Sequence, residues 1–126
     1  MTKSFIAISQ HSQILGGGEH SFIEVLRLVR DSWKPLAVIP AAGELAQRLA
    51  RNELEMKIVP MPAVRPWNAL DAFAAFKAIR SVCRQTDARL IYANGTRAAV
   101  YGGLVARCLK KPLVWHCRVA EREPIA

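Results

Sequence analysis

Gly16-Gly17-Gly18-Glu19 precedes a stretch with helical spacing. Glycines in that place let the backbone approach a ligand, and the free N–H groups of a first helical turn favour phosphate or another anion. The plainer reading is a flexible turn with no ligand. Near the other end, Trp115-His116-Cys117-Arg118 sets an imidazole and a guanidinium two residues apart, where an apolar run stops. Imidazole can donate to a sugar hydroxyl or take a proton, and guanidinium pairs with phosphate or carboxylate. A histidine there can equally be merely hydrogen-bonded. Arg65-Pro66-Trp67 joins a cation to an amphipathic ring on a stiff loop. That ring could cover the core, or meet an acceptor or a membrane surface.

These segments need elements to position them. Apolar runs at Ser4–Ser9, Pro35–Pro40, Met56–Val59, Arg89–Ala93 and Pro112–His116 read as strands. Between them, helical spacing covers Glu19–Asp31, Glu44–Arg51, Ala69–Gln85 and Thr96–Leu109. Asn68 and Thr96 are the expected N-caps of the last two helices. Prolines at 60, 62 and 66 predict an irregular loop before Asn68. The strand runs are continuously apolar, as expected when helices cover both faces. Right-handed crossovers then predict an α/β fold: a doubly wound, open, Rossmann-like parallel sheet of order 3-2-1-4-5. Gly102 and Gly103 in the last helix predict close approach to that sheet. Ligands in such folds bind beyond the carboxyl ends of the strands. The loops at that edge border or hold all three histidines, the triple glycine and the proline-rich segment, whereas the opposite connectors are short and ordinary.

The chain has 126 residues, of which 52% are hydrophobic and 22% charged, the balance of one globular domain. No apolar run is long enough to span a bilayer and none resembles a signal h-region, so a cytoplasmic location is expected. Cys83, Cys108 and Cys117 lie among apolar neighbours and read as buried reduced thiols. They have no ligand-like spacing with the histidines, so no metal is expected. The net charge is +8, and residues 64–126 carry eleven Lys/Arg against four Asp/Glu. Such a half suits an anionic partner or is simply a solvated basic face. A nicotinamide dinucleotide fingerprint fits poorly, because Ser21 stands at the third glycine position and no acid closes the second strand. No Walker lysine, Ser-His-Asp spacing or paired carboxylates are evident.

Gly16-Gly17-Gly18-Glu19 is similar to the G-G-A-E of family 4 (group 1) glycosyltransferases of the GT-B fold, with Gly18 in the Ala place. Leu90–Ala99 resembles the family's passage from strand four into the following helix, and Lys111–Arg118 resembles its K-P-x-V-W-H-x-R-D. Val119 replaces the final Asp of that motif. The resemblance implies that residues 1–118 form the acceptor-side, N-terminal half of a retaining glycosyltransferase. Residues 119–126 would be a tail leading toward a C-terminal donor-binding domain of the same protein. It implies a nucleotide-sugar donor as co-substrate, no further cofactor, and a glycan, lipid-linked or cell-envelope precursor as acceptor. In the family, the glycine loop approaches the donor phosphate and sugar, which falls to Gly16, Gly17 and Gly18. The strand-five histidine contacts the donor sugar near the reacting centre, which makes His116 the catalytic candidate. Glu19, Asn94, Thr96, Arg97, Arg118, Arg65 and Trp67 are candidates for acceptor or anion contacts. The isolated chain is expected to be inactive, and its basic half to rest peripherally on the inner membrane face. The rival is a stand-alone module binding a phosphorylated ligand or nucleic acid. Against nucleic acid, the basic residues are spread over several elements and are not interleaved with aromatics.

Overall fold

The computed structural model describes residues 3–9, 11, 17–62 and 65–116. Strand and helix alternate: β1 (Lys3–Ser9), α1 (Gly17–Val29), β2 (Trp33–Ile39), α2 (Glu44–Arg51), β3 (Glu55–Ile58), a 3-10 turn (Pro66–Asn68), α3 (Ala69–Thr86), β4 (Leu90–Asn94), α4 (Thr96–Leu109) and β5 (Leu113–His116). All pairings are parallel and the sheet order is β3-β2-β1-β4-β5, as the crossover rules predict. The tail expected over 119–126 lies outside the described residues.

Alternate side chains of the central strands feed two cores. Ile6, Ile8, Val38, Ile91 and Ala93 pack with Ala72, Ala75, Ile79 and Val82 of α3 and with Ala98, Tyr101 and Val105 of α4. Phe5, Ala7, Ala37, Ile39 and Tyr92 pack with Phe22, Ile23 and Leu26 of α1 and with Leu45 and Leu49 of α2. Burial on both faces explains why these strands are apolar throughout rather than alternating. Gly102 seats α4. A Cβ there would stand 3.2 Å from both Ile8 Cδ1 and Ile91 Cγ2 and 3.4 Å from Leu113 Cδ1. At Gly103 the nearest atom, Leu113 Cδ2, is 3.6 Å away, so only the first glycine is required for the close approach.

Several element ends differ from the sequence reading. α1 starts at Gly17, ahead of the expected Glu19. β2 begins at Trp33, so Pro35 lies inside the strand and pairs with Phe5. The neighbouring β3 pairs only from Leu36 onward, so β2 needs no hydrogen bond to it at the proline. The end of the proline-rich loop is regular: Pro66 opens the 3-10 turn, its fixed φ and missing N–H being tolerated at a first helical position. Asn68 does not cap α3 with its side chain; its Oδ1 accepts from the Arg65 N–H at 2.9 Å and closes the preceding turn. Thr96 is the first residue of α4 rather than its cap. Gly95 holds that place at φ 112°, a conformation open to glycine and strained for other residues. Cys83 is buried as expected, but Cys108 is exposed on the outer side of α4, and Cys117 lies outside the described residues.

Candidate functional site

The central strands end on polar residues. Ser9 of β1 pairs in register with Asn94 of β4, and Asn94 pairs with His116 of β5. Ser9 is 0% exposed and Asn94 4%, among strands otherwise filled with hydrocarbon. Period-two alternation puts Ser9 after Ala7 and Asn94 after Tyr92, on the face that α1 and α2 cover. Burying such groups is costly unless they are bonded. Ser9 Oγ donates to the His11 carbonyl at 3.3 Å and accepts the His11 N–H at 3.4 Å, fastening the chain as it leaves β1.

Helices here run back antiparallel to the strands, so their N-termini gather where the strands end. Gly17 and Gly18 open α1, with Glu19 following in its first turn. Thr96 and Arg97 open α4 after the Gly95 turn. The backbones of Gly17, Gly18, Glu19, Asn94, Thr96, Arg97 and His116 therefore share one rim. Gly16 and Arg118 lie outside the described residues, as do the side chains of Glu19 and His116. Among the described residues no three of His, Cys, Asp and Glu gather to hold a metal ion.

Two α4 side chains hold the proline-rich loop. Tyr101 is 1% exposed and its hydroxyl donates to the Pro62 carbonyl. Arg97 Nη1 reaches the Met61 carbonyl at 3.5 Å, so this guanidinium, expected at an anion, contacts the loop backbone. Burial pushes the Tyr101 phenol above its usual pKa, and the nearby Arg97 charge opposes that shift. Held this way, the loop faces α3 across an open groove of about 690 Å³, lined by Pro40, Val59–Pro62, Asp71, Ala74, Ala75 and Ala78. The walls are apolar apart from the Asp71 carboxylate. Sequence reasoning passed over this groove. Its one local signal was the stripe of Ala74, Ala75 and Ala78, which share a helix side with Asp71. Arg65 and Trp67 are not among its lining: both are exposed on the flank of α3, Trp67 at 81%, so this ring does not cover the core.

No family model matches the sequence, and neither does any curated protein. Solved structures do share the fold. The structure of Anabaena HepE in complex with UDP is 21% identical at a TM-score of 0.74, covering 96% of this chain and 32% of that one. MurG of Acinetobacter baumannii is 18% identical at a TM-score of 0.72, covering 92% of this chain and 35% of that one. UDP-GlcNAc 2-epimerase from Neisseria meningitidis, bound to UDP-GlcNAc, is 12% identical at a TM-score of 0.58, covering 90% of this chain and 32% of that one. The chain thus has the Rossmann-like architecture of a GT-B half-domain and spans about a third of the length of these proteins.

Proposed function

We propose that this chain is the acceptor-side half of a retaining, family 4 glycosyltransferase that moves a sugar from a nucleotide-sugar to a glycan or lipid-linked acceptor. The observation that carries the reading is the shared rim: the glycine-led start of α1, the buried Ser9–Asn94 pair and the His116 position lie at the ends of adjacent strands. The backbone N–H groups of Gly17 and Gly18 face the donor phosphate at a helix N-terminus, where partial positive charge favours an anion. His116 serves the donor sugar near the reacting carbon. The groove between the proline-rich loop and α3 takes the acceptor, with Asp71 as its polar contact. HepE and the epimerase, by the names of their complexes, bind UDP and UDP-GlcNAc, which supports a nucleotide-sugar as donor. A second domain closes over the rim, so this half alone binds weakly and does not turn over.

UDP-glucose binding, followed by ligand-observed saturation transfer, tests the reading with two variants. Gly17→Val puts a branched side chain where phosphate approaches the backbone, and His116→Ala removes the sugar contact. Each is expected to weaken binding about tenfold, the worth of one good charge-assisted hydrogen bond. Unchanged affinity in both variants contradicts the assignment.

A further inference from the structure

The groove between the proline-rich loop and α3 is poor in hydrogen-bond donors. Its lining includes Pro40, Pro60 and Pro62, which have no N–H. The Val59 N–H donates to the Ile39 carbonyl at 2.9 Å, and those of Ala74, Ala75 and Ala78 lie within α3. The Met61 and Pro62 carbonyls already accept from Arg97 and Tyr101, which approach from α4 and are not among the lining residues. Val59, Met61 and Ala75 are buried and give the groove an apolar floor. Asp71 is the one charged side chain among the described lining residues; it is exposed, and no described cation pairs with it. Because α3 runs back from the strand ends, Asp71 stands at the end of the groove nearest the rim. Ala74 and Ala78 continue from it along the helix, over a rise of about 10 Å between Asp71 and Ala78.

We propose that the part of the acceptor entering this groove is an apolar body carrying an ammonium group, with the ammonium at Asp71 and the body along Ala74–Ala78. The inference deepens the sugar-transfer reading and rests on it for the role of acceptor. A sugar ring brings several hydroxyls, each needing partners once water is removed, and these walls repay few of them. A phosphate or carboxylate would meet the Asp71 charge with its own. An apolar body loses nothing on such walls, and an ammonium supplies the donors that Asp71 accepts. The volume of about 690 Å³ suits a small molecule, and the three prolines hold their wall ready before it enters. The chain as a whole, at +8, repels a cation, so a preference for one reports Asp71 itself.

Amide-resolved NMR titration with three probes tests it: tryptamine, its anionic counterpart indole-3-propionate, and maltose. Tryptamine is expected to shift the amides of Met61, Asp71, Ala74 and Ala78, and to bind about fivefold more tightly than indole-3-propionate. Maltose is expected to leave these amides unmoved. Asp71→Asn keeps the shape and is expected to abolish the preference for the cation. Ala74→Leu, at an exposed helix position, fills the groove and is expected to weaken both indoles about tenfold. An unchanged circular dichroism spectrum verifies the fold of each variant. No shift at these amides up to about 10 mM tryptamine overturns the proposal. Equal affinity for the two indoles, a preference that survives Asp71→Asn, or maltose binding in the groove also overturns it. UDP-glucose read at Gly17 and Gly18 separates the two readings. If it binds there and tryptamine fails, the acceptor chemistry falls and sugar transfer stands. If tryptamine binds as expected and UDP-glucose fails, the ligand class of the groove is supported and the sugar-transfer reading falls.

Discussion

Gly102→Ala and Gly103→Ala, made separately, measure how tightly α4 is seated on the sheet. In a helix interior each change gains about 1 kcal/mol, because alanine restricts the unfolded chain and glycine does not. At Gly103 the new methyl meets only Leu113 Cδ2 at 3.6 Å, an ordinary contact, so the gain survives. At Gly102 it lands 3.2 Å from Ile8 Cδ1 and from Ile91 Cγ2. The Ile8 methyl is a chain end and can swing, but Ile91 Cγ2 is fixed by the branched Cβ and cannot move without its strand. Overpacking of this kind costs about 1–3 kcal/mol. The expected net effect at Gly102 is a loss of about 0–2 kcal/mol, against a gain of about 1 kcal/mol at Gly103. Urea denaturation reads both changes from the midpoint at constant slope. Equal stabilisation by the two alanines would refute the close-approach account. The same seating sets where Arg97 and Tyr101 meet the proline-rich loop, so it also bears on the groove.

Tyr101→Phe removes the donor to the Pro62 carbonyl. It is expected to cost about 1 kcal/mol in urea denaturation and to speed chymotryptic cleavage after Trp67. Cys83 has its thiol pushed up to about 11 from 9.0, burial outweighing the nearby Lys111 charge. Both folded and unfolded thiols are protonated below 9, and the unfolded one ionises first above it. This contribution to stability is therefore full below pH 9.0 and falls away toward pH 11. Cys83→Ser should flatten that part of the stability profile. In a Cys117→Ser background, a thiol reagent at neutral pH should label the exposed Cys108 and spare Cys83.

Much of this architecture was legible in the residues, and the reasons are physical. Runs such as Phe5–Ile8 and Leu36–Ile39 are apolar at every position because helices cover both faces, and that pattern has few other solutions. The strand order then followed from crossover handedness. Helix starts were less legible: Asn68 holds the expected cap place of α3 but turns its side chain to the Arg65 N–H, and Thr96 stands one place past the Gly95 turn that caps α4. α3 was the hardest. Leu70, Phe73 and Phe76 offer as good a helical stripe as Ala72, Ala75 and Ile79, and only packing distance decides that the small side faces the sheet. The groove was legible only in the stripe of Ala74, Ala75 and Ala78, since Pro40, the loop from Val59 and about two turns of α3 meet only after the sheet has formed. The rim residues Asn94 and His116 were legible because strand ends in a parallel sheet fall together whatever the loops do.

The most direct measurement is an amide-resolved NMR titration of the protein with UDP-glucose. The account predicts shifts concentrated at Ser9, Gly17, Gly18, Asn94, Gly95 and His116, along the ends of β1, β4 and β5. Shifts confined to the opposite connectors at 31–34, 52–55 and 85–88, or an unchanged spectrum at high donor concentration, would contradict it.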